Sequence, residues 1–330
     1  NNFPFPYGNN EPKDTVFANV DYSKLTAAVN NAFDSKGQKK KRSRAVLVIY
    51  KDHIIAEKYD TGFTKNSKIL GWSMTKSITA TLFGILQKQG KYDINKPAPI
   101  PEWQKDERKK ITTNDLLHMN SGLEWEEAYD KICDATKMLF IAEDMGRVQL
   151  EKPAAFAPNT HWNYSSGTSN LLSYILRKQF KTHQEYLDFW YAQLIDRIGM
   201  HSMLIETDMV GNYVGSSYGW ATARDWAKFG LLYLHKGNWN GDQVFDPSWE
   251  NYVSTPTNDS KEGYGAHFWL NAGGHFTAAP RDMYSCNGYQ GQKVFIIPSL
   301  DLVIVRMGLS DEGKYDVNEL LAGVIGSFKK

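Results

Sequence analysis

The sequence predicts a mixed α/β (α+β) fold: one antiparallel sheet flanked by helices, with a helical lobe inserted into it. Two observations carry this. β-Branched runs stand near both ends, at Ala45 to Tyr50 and His53 to Tyr59 and again at Lys293 to Ile297 and Leu302 to Arg306, whereas the middle of the chain is dominated by helical spacing. Strands this far apart in sequence pair most simply when the termini build one sheet and the middle forms a lobe of its own. The boundaries expected are an irregular segment 1–20, an α/β lobe from 21–70 and 221–330, and a mainly helical lobe 71–220.

Asp21 to Asp34 carries apolar residues at Leu25, Val29 and Phe33, the four-residue spacing of an amphipathic helix. Lys51-Asp52 between the first two strands reads as a tight hairpin although the preferred Asn-Gly pair is missing. A turn-rich approach leads to Gly71, where a long helix begins, apolar at Ile78, Leu82, Phe83, Ile85 and Leu86 and stopped by Gly90, so one broad face is expected to be buried. Pro97 to Pro101 is a stiff connection and Thr112 to His118 a short capped helix. Residues 123–163 are rich in aromatics without clean periodicity, as in segments that wall a pocket. Helical spacing resumes at Ser169 to Phe180, Gln184 to Arg197 and Ala221 to Lys236, and a last helix is expected from Val317 to Phe328.

Composition excludes several classes. Hydrophobic residues at 42% and charged residues at 23% of 330 are those of an ordinary globular chain, and a formal charge of +1 provides no field for nucleic acid. The basic run Lys39 to Arg44 reads as a solvated loop. No apolar run approaches the roughly 20 residues of a transmembrane helix. Cys133 and Cys286 are too few for a metal cluster, and their spacing leaves both paired and free states open. With no His-x-x-x-His pair either, no metal or organic cofactor is expected. The chain begins at Asn1 within a stretch rich in Asn, Pro and Phe, which reads as a processed start and hence a periplasmic or secreted protein.

Chemistry is expected at Gly71 to Leu86. Ser73 and Lys76 are three apart at a helix start, so hydroxyl and amine face the same way within hydrogen-bond reach. A serine is a weak nucleophile until a base stands beside it, and desolvation together with the positive helix end pushes a lysine toward its neutral form. The free N–H groups of the same turn suit a developing oxyanion. Tyr164, in His161-Trp-Asn-Tyr-Ser-Ser-Gly167, offers a second proton-transfer group, and Gly288-Tyr-Gln-Gly-Gln292, leading a strand, offers a further N–H.

Taken in order, Ser-Met-Thr-Lys76, Tyr164-Ser-Ser166 and the Gly-rich triplet Tyr289-Gln290-Gly291 resemble the motifs of the penicillin-recognising serine hydrolases, of the class C β-lactamase, penicillin-binding-protein and esterase type. Leu116 to Leu123 and Ala221 to Leu232 are similar to that family as well, and the resemblance spans roughly residues 40 to 328. It implies a β-lactamase/transpeptidase-like fold with the site in the cleft between two lobes. It also implies Ser73 as acylated nucleophile, Lys76 as its activating partner, Tyr164 as general base and acid, and an oxyanion hole from the N–H groups of Ser73 and Gln292. Which of Lys76 and Tyr164 takes the proton stays open, and the pair titrates as a unit. A neighbouring Lys76 ammonium favours the Tyr164 phenolate.

Two departures narrow the expectation. Ser166 stands where the family often has an Asn that holds a substrate amide, and Tyr289 where it often has Lys or His opposite a substrate carboxylate. Arg306 on the next strand reads as a solvated arginine rather than a replacement. An esterase or amidase, like the family's 6-aminohexanoate-dimer hydrolases, is therefore expected over an efficient β-lactamase, acting on a small molecule or short peptide. Trp72, Trp125, Tyr129 and Trp162 point to an apolar or amide-chain substrate. Two alternatives stand beside this: a penicillin-recognising sensor that acylates without turnover, and a Ser/His/Asp hydrolase, since Gly71-Trp-Ser-Met-Thr75 nearly spells a nucleophile elbow and His267 or His275 could serve as its histidine.

Overall fold

The computed structural model describes residues 3–8, 10–311 and 315–329. Helix α1 (Tyr22–Asn31) is capped by the Asp21 side chain, which accepts from Lys24 N at 3.1 Å. Strands β1 (Ser43–Tyr50) and β2 (His53–Tyr59) pair antiparallel through a two-residue turn. Lys51 and Asp52 both lie in the left-handed region, at φ 48° and 63°, which is the backbone a type I′ hairpin needs even without Asn-Gly. After β3 (Ile69–Leu70) and a single turn at Trp72–Met74 comes α2 (Thr75–Lys88).

Every residue of α2 from Thr75 to Leu86 is buried, not one face of it. The helix threads the interior, so its polar residues must find protein partners: Ser77 Oγ donates to His267 O at 2.7 Å, Thr79 Oγ1 to Gly215 O at 2.9 Å, and Thr81 Oγ1 bonds the Tyr233 hydroxyl at 2.7 Å. Around it lie α3 (Thr113–Leu117), held by the capping box Thr112 and Asp115, then α4 (Asp134–Phe140), α5 (Met145–Leu150) and α6 (Ser166–Arg177). The last starts three residues earlier than its periodicity suggests because Ser165 caps it, accepting from Thr168 N at 2.9 Å. Helix α7 (His183–Trp190) runs into a wide turn at Tyr191–Ile195.

Strands β4 (Leu204–Ile205) and β5 (Gly219–Ala221) join β3 in a small sheet, ordered β3-β5-β4. Helix α8 (Ala223–Leu234), the hairpin β6 (Asn238–Trp239) with β7 (Asp242–Gln243), and α9 (Ser248–Ser254) follow. The chain then adds β8 (Trp269–Leu270), β9 (Tyr284–Gly288), β10 (Gln292–Ile297) and β11 (Leu302–Gly308), and ends in α10 (Asn318–Ile325). Strands from both ends of the chain form one antiparallel sheet, ordered β2-β1-β11-β10-β9-β8. One face, including Leu47, Val294, Val303 and Val305, packs on α8 in the main core; the other, including Val48, Phe295 and Ile304, lies under α1 and α10. Among the described residues no helix is long and apolar enough to cross a membrane. Both cysteines are free and buried.

Arg306 is not solvated. It is 0% exposed, and its guanidinium donates to Gly291 O at 2.7 Å, Gln290 O at 3.4 Å, Lys41 O and Ser310 Oγ at 2.5 Å and Ser43 Oγ at 3.1 Å. Cross-strand placement beside Val46 and Lys293 turns it inward over the Gln290–Gly291 turn, where carbonyls rather than water satisfy its donors. Arg306→Met leaves those carbonyls unpaired and is expected to lower the unfolding free energy by about 3 kcal/mol, read by urea denaturation. A loss within about 0.5 kcal/mol is the outcome a solvated arginine would give.

Candidate active site

The nucleophile turn is made by three residues with different tasks. Gly71 is pressed against the Trp226 ring, where an added Cβ would lie 2.3 Å from a ring carbon. Trp72 takes a left-handed φ of 49°, a strained state for a bulky residue, and Ser73 follows, 9% exposed. Thr75 Oγ1 fixes the turn by donating to Trp72 O at 2.8 Å and accepting from Gly219 N at 3.0 Å. Ser73 is thus presented from a backbone tied on both sides.

Lys76, on the next turn, is buried with three polar partners: Ser73 Oγ at 3.0 Å, Ser166 Oγ at 2.9 Å and Ser216 O at 2.8 Å. Desolvation pushes its amine down to about 8, against a smaller upward pull from the Glu127 carboxylate. Glu127 accepts Ser166 N at 2.8 Å, Ser166 Oγ at 2.5 Å, Trp125 Nε1 at 2.5 Å and the Tyr129 hydroxyl. A hydrogen-bonded line therefore runs from Ser73 through Lys76 and Ser166 to a carboxylate. The loop that carries Glu127 can approach α6 because residue 167 is glycine: a Cβ there would meet the Trp125 ring at 2.5 Å.

Tyr164 lines the same cavity as Ser73, and the Lys76 amine stands 5.1 Å from its ring centroid. Burial and then the Glu127 charge raise the phenol well above its ordinary value, outweighing the opposing effect of the Ser73 hydroxyl. The expected pull toward phenolate is overcome: the site is too dry and already holds an anion, so Tyr164 rests as a neutral phenol.

Strand β9 closes the other side. Gly288 lies so close to the nucleophile turn that a Cβ would sit 2.1 Å from Gly71 O. Ser73, Tyr164, Asn287, Gly288 and Tyr289 share a cavity of about 500 Å³ walled by Trp269, Leu270 and Phe276. Gln290, Gly291 and Gln292 do not line it. Gln292 is 1% exposed at the start of β10, where it pairs with Gly288, and its amide is taken up by Tyr289 O at 3.1 Å and Gly308 O at 2.7 Å. The loop bends at Gln290, φ 61°, and of its residues Tyr289 lines the cavity.

Of the remaining residues, Tyr289 stands at the mouth against Trp72 and Tyr129, with ring centroids 5.8 and 5.0 Å apart. Trp72 therefore supports the wall without lining the cavity. Trp162 lies behind Trp269 at 6.2 Å, one layer out, and Ser166 faces Lys76 and Glu127 rather than the cavity. His267 is buried between Ser169 Oγ at 2.8 Å and Leu117 O at 2.7 Å; His275 lines the cavity. Glu127 and Lys293 are the site residues the sequence did not disclose. Both sit outside the motifs, Glu127 in the aperiodic stretch and Lys293 at the head of a strand, and only folding brings Glu127 to Ser166 and Lys293 to the cavity. Among the described residues no group of His, Cys, Asp and Glu could hold a metal ion.

The model of the family described as Beta-lactamase matches residues 29–320 of the chain. Among solved structures, the chain is similar to a putative 6-aminohexanoate-dimer hydrolase from Bacillus anthracis, at TM-score 0.72 and 20% identity over 87% of this chain and 78% of that one. It is similar to a family VIII carboxylesterase at TM-score 0.72 and 15% identity, covering 96% of this chain and all 100% of that one. A D-stereospecific amidohydrolase from Streptomyces matches at TM-score 0.69 and 15% identity, over 93% and 99%. At these identities the likeness is one of fold.

Gly288→Ala forces β9 away from the Gly71 carbonyl. The expected result is a loss of about 100-fold or more in ester turnover with the protein still folded by circular dichroism, since misplacement by about 1 Å costs that much; undiminished turnover would show that β9 does not border the reacting centre.

Proposed function

The chain belongs to the Beta-lactamase family, and from that premise we propose that it is a serine hydrolase that cleaves esters or amides in two acyl-transfer steps through Ser73. The observation that carries this reading is the set of three contacts around Lys76. An ammonium can donate to all three acceptors. A neutral amine can keep its two N–H bonds to Ser166 Oγ and Ser216 O and turn its lone pair to the Ser73 hydroxyl. Either protonation state is therefore accommodated without moving an atom, which is what a group that takes and returns a proton requires.

In the proposed cycle Lys76 Nζ takes the Ser73 proton as Oγ attacks the carbonyl carbon. The oxyanion is received by the N–H groups of Ser73 and of Tyr289, the latter in place of Gln292. Tyr164, a neutral phenol, gives its proton to the departing oxygen or nitrogen, and its oxygen then takes one from the water that opens the acyl-enzyme. The Lys76 ammonium returns the proton to Ser73. Glu127, reached through Ser166, stabilises that ammonium. Ester and amide substrates are favoured over penicillins because Tyr289 stands where a family cation often does. The likeness to a carboxylesterase, an amidohydrolase and a putative 6-aminohexanoate-dimer hydrolase supports this preference. Secretion or export to a periplasm fits the same reading.

Turnover of 4-nitrophenyl butyrate together with fluorophosphonate labelling at Ser73 tests the proposal. Ser73→Ala and Lys76→Ala should each reduce turnover by at least about 1,000-fold, and near-normal rates in Lys76→Ala would sink the serine–lysine pair; labelling without turnover would make the chain a sensor. With this neutral ester, kcat/KM is expected to rise with pH through about 8 as Lys76 loses its proton. The charges facing Lys76 are Glu127, which favours the ammonium, and the buried His267, neutral because burial pushes it down to about 3. Glu127→Gln removes the favourable anion, so the rising limb should move to lower pH; a move to higher pH, or none, would exclude the assigned coupling.

A further inference from the structure

We propose that the Ser73 cavity contains an anion subsite built on Lys293, and that the substrates it favours carry a carboxylate a few bonds from the scissile carbonyl. This rests on the reading of Ser73 as nucleophile and adds the chemical class of what it acylates or releases.

Lys293 lies on β10, with Asn287 and Arg306 as its cross-strand partners, and lines the same cavity as Ser73 and Tyr164. That cavity is lined by Lys293, Lys261 and the imidazole of His275, and among the described residues by no aspartate or glutamate. Lys261 and His275 stand exposed at its mouth, while Lys293 is half-buried further in. The walls between them, Trp269, Leu270 and Phe276, are apolar, so a charge inside is weakly screened.

The neighbouring hollow, about 810 Å³, shares Lys293 and among the described residues is lined by four carboxylates, Glu127, Asp130, Asp311 and Asp316. Glu127 accepts its four donors, Asp311 faces the Arg42 guanidinium at 3.8 Å, and Asp316 accepts Asn318 N at 2.9 Å; Asp130 is exposed. What acts on the Lys293 amine is burial and the Arg306 cation beside it, which together push it down to about 8. Arg306 cannot itself receive a ligand, since its donors are spent on carbonyls and hydroxyls of the turn behind the cavity. A cation held in a partly dry cavity, next to a like charge and with no acid of the described residues acting on it, gains most from an incoming anion. An ordinary surface lysine would instead extend its amine into water. Lys293 thus offers an incoming anion a cation on β10, just beyond the turn that holds Tyr289.

Two substrate pairs test this, each comparing a carboxylate with its methyl ester at constant chemistry: mono-4-nitrophenyl adipate, with the anion on the acyl chain, and 3-acetoxybenzoate, with the anion on the leaving group. The readout is the ratio of kcat/KM, anionic over neutral. Wild type should give a ratio of about 10 or more in at least one pair, falling as salt is raised. Lys293→Met should bring that ratio near one, Lys293→Arg should retain it, and Lys293→Glu should invert it and favour 4-nitrophenyl 6-aminohexanoate. A wild-type ratio at or below one in both pairs overturns the subsite, as does a preference that survives in Lys293→Met. If the Met variant does not fold, the salt dependence and the Arg and Glu variants decide. Absence of any turnover and of fluorophosphonate labelling fails the Ser73 reading itself, whereas turnover without charge preference fails only the subsite.

Discussion

The structure depends on keeping one amine dry. Lys76 sits on a helix buried on every side, and three polar atoms from three parts of the chain, Ser73, Ser166 and Ser216, converge on its nitrogen. A buried amine with fewer partners would be costly; one with a carboxylate in direct contact would stay an ammonium. Interposing Ser166 between Lys76 and Glu127 gives an intermediate state, in which the anion is felt through one hydroxyl. The burial of α2 is the condition for this, and the buried threonines of α2, each bonded to a neighbouring element, are how the fold accommodates a helix with no solvated face.

Much of this was legible in the residues, and what was not has physical reasons. The two terminal strand pairs follow from their apolar β-branched runs, and the helices at Tyr22, Ala223 and Asn318 from the helical spacing of their apolar residues. Strands β8 and β9 escaped because Trp269–Leu270 is two residues long and Tyr284–Gly288 holds small and polar residues chosen for close approach to Gly71 rather than for strand propensity. Ser73, Lys76 and Tyr164 were visible because their spacing is set by one helix turn or by a motif. Glu127 was invisible because its partners lie 2 to about 40 positions away along the chain, in a loop whose path is fixed by Trp125 packing on Gly167. The triplet Tyr289-Gln290-Gly291 is legible as a turn leading a strand, but the bend at Gln290 that leaves Gly288 and Tyr289 at the cavity depends on a backbone state the residue types do not announce.

Polarity in the site is divided between two sides. The carboxylate that matters for Lys76 reaches it from the loop after α3, whereas the strand side contributes cations, Lys293 in the cavity and Arg306 behind it. Tyr129, which donates to Glu127, meets the Tyr289 ring at 5.0 Å. Glu127 raises the proton affinity of Lys76 and Tyr164, whereas the charge beside Lys293 is that of Arg306, so the two lysines answer to different neighbours.

Trp72 has a wider consequence. Its left-handed backbone is a conformation that glycine adopts freely and tryptophan only at a cost of about 1 to 3 kcal/mol. Its ring is wedged against Tyr218 and Tyr289. Selection or engineering for heat resistance alone would therefore favour a smaller residue at position 72, and in doing so would loosen the support under Tyr289 and the carbonyl that Thr75 grips. Durability and reactivity pull in opposite directions at this one residue, and a library screened only for survival would drift toward sturdier, slower proteins.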